Sequence, residues 1–105
     1  MKSTGIARIW HGMVKKEHEA IYIDYMIKTG VKDYKSTPGL LKAEILKKEE
    51  GDLCHIYTVT KWESYEAIKA FAGEDISKAQ YYPEDKMYLL ELEEEVQHFE
   101  TLTFK

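Results

Sequence analysis

Apolar and polar residues alternate along two long stretches of this chain, and helical spacing replaces the alternation between and after them. Thr4 to Val14 is dense in β-formers and predicts a first strand, with Ile6, Arg8 and Trp10 on one face and Ala7, Ile9, His11 and Met13 on the other. From Lys15 to about Lys28 the pattern turns helical: Ala20, Ile23 and Ile27 recur on one side, broadened by Tyr22, Tyr25 and Met26. Gly30 either ends this helix or opens a short irregular extension through Tyr34. Thr37-Pro38-Gly39 predicts a turn, with Pro presetting φ and Gly accepting a positive one. Leu40 to Lys48 sets Leu41, Ala43 and Ile45 against Lys42 and Glu44, and Gly51-Asp52 fits a tight hairpin into a third strand, Leu53 to Trp62. Ser64 is placed to cap a helix that stops at Gly73, with Glu66 in its first turn. Ile76 to Tyr82 suits one more helical turn before Pro83, Glu84 to Glu95 carries no clear pattern, and Val96 to Phe104 reads as the last strand.

The order strand, helix, strand, strand, helix, strand is the split βαβ arrangement of a ferredoxin-like α+β fold. It predicts one domain over residues 1–105, a four-stranded antiparallel sheet with its helices on one face. The third strand, however, is apolar on both faces: Leu53, Tyr57 and Val59 on one side, Cys54, Ile56 and Trp62 on the other. Two helices cover only one face of such a sheet, so the other needs a partner. A second copy of the same sheet is the simplest cover, which predicts a homodimer.

Composition narrows the function classes. A net charge of −4, with Glu91, Glu93, Glu94 and Glu95 clustered late, argues against nucleic-acid binding, which needs a basic stripe. No apolar run approaches the roughly 18 residues that cross a bilayer, and the N-terminus lacks a secretory apolar core. The single cysteine, Cys54, excludes an internal disulfide, suits a reducing cytoplasm and reads as a small buried hydrophobe. His11, His18, His55 and His98 show no metal-ligand spacing, and no phosphate loop, dinucleotide fingerprint or nucleophile elbow is present. An enzyme of this sequence is expected to work without a tightly bound metal or cofactor.

The remaining chemistry lies in a few residues, each with a plainer structural reading beside it. His98, on the last strand, is the candidate base for a phenol or quinol, or else a histidine bonded at a sheet edge or interface. Arg8 suits a carboxylate or oxyanion on the helix-facing side, or a salt bridge. Tyr81 and Tyr82, before Pro83, are expected to wall a pocket mouth or anchor a loop. Tyr22 and Tyr25 share a broad helix face toward the sheet, and Phe71 lies on the second helix; both sites also fit core packing.

Trp62-Glu63-Ser64-Tyr65-Glu66-Ala67-Ile68-Lys69-Ala70-Phe71-Ala72-Gly73-Glu74-Asp75, followed by Tyr81-Tyr82-Pro83 and by Val96-Gln97-His98-Phe99, resembles the antibiotic biosynthesis monooxygenase superfamily, in an uncharacterised branch. The resemblance spans Ile6 to His98 and implies a dimeric α+β barrel. It also implies a pocket in which Trp62 packs against a flat substrate, as a tryptophan in a similar context does in the haem-degrading branch. That branch uses an iron-binding histidine in its second helical region and an asparagine on its first strand. Here Ile76 to Tyr82 holds no histidine and Arg8 falls where the asparagine is expected, which argues against haem degradation. The expected activity is a cofactor-independent monooxygenation of an electron-rich aromatic, a quinol or anthrone. His98 would be the base, and Arg8, Tyr22, Trp62, Phe71, Tyr81 and Tyr82 the binding residues. The alternative is a dimeric protein of the same fold that binds a small molecule without chemistry, or serves in stress.

Overall fold

In the computed structural model, which describes residues 2–104, four strands form one antiparallel sheet in the order β2-β3-β1-β4. Met1 and Lys105, the ends of the expected domain, lie outside the described residues. The strands are β1 (Lys2–Lys15), β2 (Leu40–Glu50), β3 (Leu53–Trp62) and β4 (Gln97–Phe104). The helices are α1 (Glu19–Met26), α2 (Lys32–Lys35), α3 (Tyr65–Ala72) and α4 (Asp85–Tyr88). This is the ferredoxin-like α+β fold.

Alternation along β1 and β3 sorts the sheet's two faces. Ile6, Arg8, Trp10 and Val14 point the same way as Cys54, Ile56, Thr58, Thr60 and Trp62, and all are buried. Tyr22, Met26 and Ile68 from the helices, with Leu89, pack on this inner face. On β2 the alternation is interrupted. Leu40 pairs with Trp62 but Lys42 pairs with Lys61, so a bulge at Leu41 absorbs one residue. Leu40, Ala43 and Ile45 therefore share the inner face, while Leu41, expected there, is half exposed.

Local signals explain most of the boundaries. The chain is helical from Lys16 to Lys35, through a 3-10 turn (Lys16–His18) and a wide π turn (Ile27–Val31) between α1 and α2. Gly30 sits inside that wide turn and ends nothing. The buried side of α1 is also rotated from expectation: Tyr22 and Met26 face the sheet, whereas Ile27 is exposed. Ser64 caps α3 by accepting from the Ala67 amide at 3.2 Å. Gly73 follows α3 with φ 86° and ψ −173°, a glycine conformation outside the left-handed helical cap. The helical turn expected at Ile76 to Tyr82 does not form. That segment is largely extended, bridged by Lys78 to Glu95, because its carbonyls serve Arg8 and Gln80 instead of a helix ladder.

On the outer face, Ala7, Ile9, Met13, Tyr57 and Val59 are only half-buried, and Leu46 and Phe99 are exposed. A polar chain crosses it: Glu93 bonds His11 Nδ1 at 2.5 Å, and His11 Nε2 lies 3.0 Å from His55 Nδ1. His55 Nε2 is in turn 3.5 Å from Glu50. Glu93, one of the late acidic cluster, is thus engaged by a histidine.

Candidate functional site

A narrow slot opens between the inner face of the sheet and the helical layer. Arg8, Trp10 and Thr58 form its floor, and Tyr22, Met26 and Tyr34 come down from α1 and α2. Phe71, Gln80, Tyr81, Tyr82, Asp85 and Val96 complete its walls. Such a concave, aromatic cavity with a few convergent polar groups has the character of a small-molecule site.

Arg8 is the electrostatic centre of the slot. It is 4% exposed, and among the described residues it has no carboxylate partner. Its Nη1 donates to the Ile76 carbonyl and its Nη2 to the Lys78 carbonyl at 3.0 Å. The guanidinium carbon lies 5.8 Å from the centre of the Phe71 ring. Burial lowers its pKa, partly offset by the nearby Tyr34 hydroxyl, yet a guanidinium stays protonated. Its charge is met by neutral acceptors and an aromatic ring rather than by an acid among the described residues.

His98 lies behind Arg8. The two residues face each other across β1 and β4, with Nη1 3.0 Å from His98 Nε2. Because arginine only donates, Nε2 must accept, so His98 is neutral with its proton on Nδ1. Burial and the adjacent Arg8 charge both lower its pKa, in keeping with that state. His98 does not border the slot.

The second polar centre gave no signal in the sequence. Asp85, the first residue of α4, is 5% exposed and lines the slot. The Tyr22 hydroxyl donates to Oδ1 at 2.9 Å and the Tyr82 amide to Oδ2 at 2.6 Å. Burial raises the carboxyl's pKa, against the pull of these two donors. Tyr22 is itself raised, first by burial and then by the Asp85 charge. A carboxylate inside an otherwise structureless acidic stretch offers no spacing by which sequence alone could single it out.

Of the remaining sequence candidates, Tyr22, Phe71, Tyr81 and Tyr82 all border the slot. Tyr81 accepts from the Trp10 indole at 3.2 Å and donates to the Glu93 carbonyl at 2.5 Å; Tyr82 donates to Asp33. Trp62 does not border it. Trp62 is fully buried, donates to Thr60 Oγ1 at 2.8 Å and lies 5.9 Å from Phe71, so it supports that wall from behind. Cys54 is buried with its thiol pushed up to about 11, which keeps it protonated at neutral pH.

Solved structures share this architecture from end to end. A Bacillus cereus protein assigned to antibiotic biosynthesis monooxygenases superposes at a TM-score of 0.57 with 15% identity, over 97% of this chain and 94% of that one. The chain has the fold of the antibiotic biosynthesis monooxygenases. A Streptomyces coelicolor monooxygenase, from the gene ActVA-Orf6 and solved with nanaomycin D, gives a TM-score of 0.58 at 13% identity, over 97% of this chain and 89% of that one. A Shewanella oneidensis protein reaches 0.62 at 10% identity, over 97% and 98% of the two chains. No protein-family model and no curated protein matches the sequence. At these identities the monooxygenase fold is shared but not, by that fact, its chemistry.

Proposed function

We propose that this chain is a member of the antibiotic biosynthesis monooxygenase superfamily that oxygenates a flat, electron-rich aromatic, of quinol or anthrone type, without a cofactor. The observation that carries this reading is the buried Arg8 guanidinium, paired with no acid among the described residues, on the floor of an aromatic slot. Phe71, Tyr34 and Trp10 give the slot an aromatic lining suited to a planar ligand. Loss of a proton from the substrate gives a delocalised anion, which Arg8 stabilises electrostatically. That anion passes one electron to dioxygen, and the resulting radical and superoxide combine as a peroxide anion, which takes back the proton lost earlier to become the hydroperoxide. Loss of water from an anthrone hydroperoxide leaves the quinone, so one dioxygen supplies one oxygen to product and one to water.

In this reading His98 acts through Arg8: its lone pair holds the guanidinium in place. The outer face packs on a second copy, whose own Leu46 and Phe99 would cover the exposed pair here. A cytoplasmic setting suits the single protonated thiol.

The test is oxygen uptake by the purified protein with a panel of hydroquinones and anthrones, alongside Arg8→Met and His98→Ala. Uptake lost in Arg8→Met and reduced in His98→Ala is the expected result. Tight ligand binding with no uptake across the panel would overturn the oxygenase reading and leave a binding protein.

A further inference from the structure

Two buried groups of opposite charge face the same slot without meeting. Arg8 and Asp85 each line it, and among the described residues neither forms an ion pair. Both charges are held by neutral groups and keep unused hydrogen-bonding capacity, so the arrangement fits a ligand that meets both. Asp85 can only accept from such a ligand when ionised, and each of its oxygens, already holding one donor, keeps a second lone pair. Arg8 can only donate.

We infer that Asp85, oriented by Tyr22, receives the proton of the bound aromatic, and that the slot selects a planar molecule with an acidic hydroxyl at Asp85 conjugated to an electron-accepting oxygen at Arg8. This rests on the oxygenase reading for its biological purpose, but the proton step stands on its own. The hydroxyl proton moves to an Asp85 oxygen, and the electron pair left behind spreads through the ring system toward Arg8. No oxidant is required.

The surroundings of Asp85 favour this direction. Tyr22 from α1, Tyr34 from α2 and Tyr81 and Tyr82 from the preceding loop are its titratable neighbours, each with its own proton held tightly by burial. None competes to give a proton, and burial makes the carboxylate a stronger base than usual. Tyr22 is a positioning residue here: it touches Asp85 and donates to the oxygen that must stay in register.

The probe is para-nitrophenol, which carries a hydroxyl conjugated to nitro oxygens, turns yellow on ionisation and is not oxidised by air. Its methyl ether, para-nitroanisole, has no proton to give. Wild-type protein in mildly acidic buffer should develop the phenolate band on binding without releasing a proton to solvent, and should prefer the phenol over the ether by about ten-fold or more. In Asp85→Asn the band should vanish, or appear only with release of one proton, and the preference should fall to within about two-fold. Tyr22→Phe keeps the acceptor but removes a donor that lowers its pKa, so the acid limb of the band should move to higher pH. A band and proton balance unchanged in Asp85→Asn would overturn the assignment. So would no band in the wild type at saturation, and the oxygenase reading would then stand or fall on oxygen uptake alone.

Discussion

At the scale of the residue, this protein turns on what surrounds Arg8. The guanidinium satisfies the Ile76 and Lys78 carbonyls and the His98 lone pair, three acceptors from two segments far from it in sequence. Arg8→Met would remove the side-chain donor to the Ile76 carbonyl and one of the two to that of Lys78, and a loss of about 2 kcal/mol is expected in denaturant titration, besides the loss of ligand binding. His98 carries a pH dependence whose sign follows from its depressed pKa. The unfolded chain takes up a proton near pH 6.5 while the folded one resists, so stability is full at neutral pH and falls as the pH drops below that value. His98→Gln, which keeps an acceptor but does not titrate, should flatten this decline between neutral pH and about pH 5 in denaturant titrations. The residue type of Arg8 and its place on the inner face were legible from period-two alternation. Its partners were not, since they lie 68 and 70 residues away along the chain.

At the scale of the element, turn and cap chemistry was the most readable part of the sequence. Pro38-Gly39, Gly51 and Ser64 do what their types require: Gly39 takes φ 96°, Gly51 takes φ 61° and Ser64 caps α3. Replacing Ser64 by Ala should cost about 1 kcal/mol. Gly39→Ala should cost more. It meets both the positive φ and a steric block, since its Cβ would lie 2.5 Å from that of Ala67. Adding Ala67→Gly should recover the steric part but not the backbone part, a pattern that a double-mutant cycle by thermal or chemical unfolding would reveal. Elements without such punctuation were misread. Ile76 to Tyr82 has apolar spacing suited to a helical turn, but its carbonyls are claimed by Arg8. The bulge at Leu41 likewise leaves no mark in the alternation; only the pairing with β3 exposes it.

At the scale of the whole molecule, one sheet face is covered and the other is not. Leu46 and Phe99 project from the outer face at 49% and 47% exposure, beside half-buried Ile9, Met13, Tyr57 and Val59. A second copy packed there should appear as a dimer in sedimentation, and Leu46→Lys with Phe99→Lys should shift it toward monomer, because two charges per copy would be driven into the contact. A monomer for the unmodified protein at micromolar concentration would refute that arrangement. Sequence and structure answered different questions here. Local order, meaning the strands, the turns, the capped helix and the sorting of the β1 and β3 faces by period two, was settled by the sequence, because those signals act over a few neighbouring residues. The slot's polar centre was settled only by tertiary structure. Tyr22 and Asp85 are 63 residues apart, and their hydrogen bond exists because α4 returns beneath α1. His98 was visible as a titratable residue, but which way its lone pair points depended on the strand beside it. A side chain's chemistry travels with the chain; its environment, and so its function, is assembled from residues the sequence holds far apart.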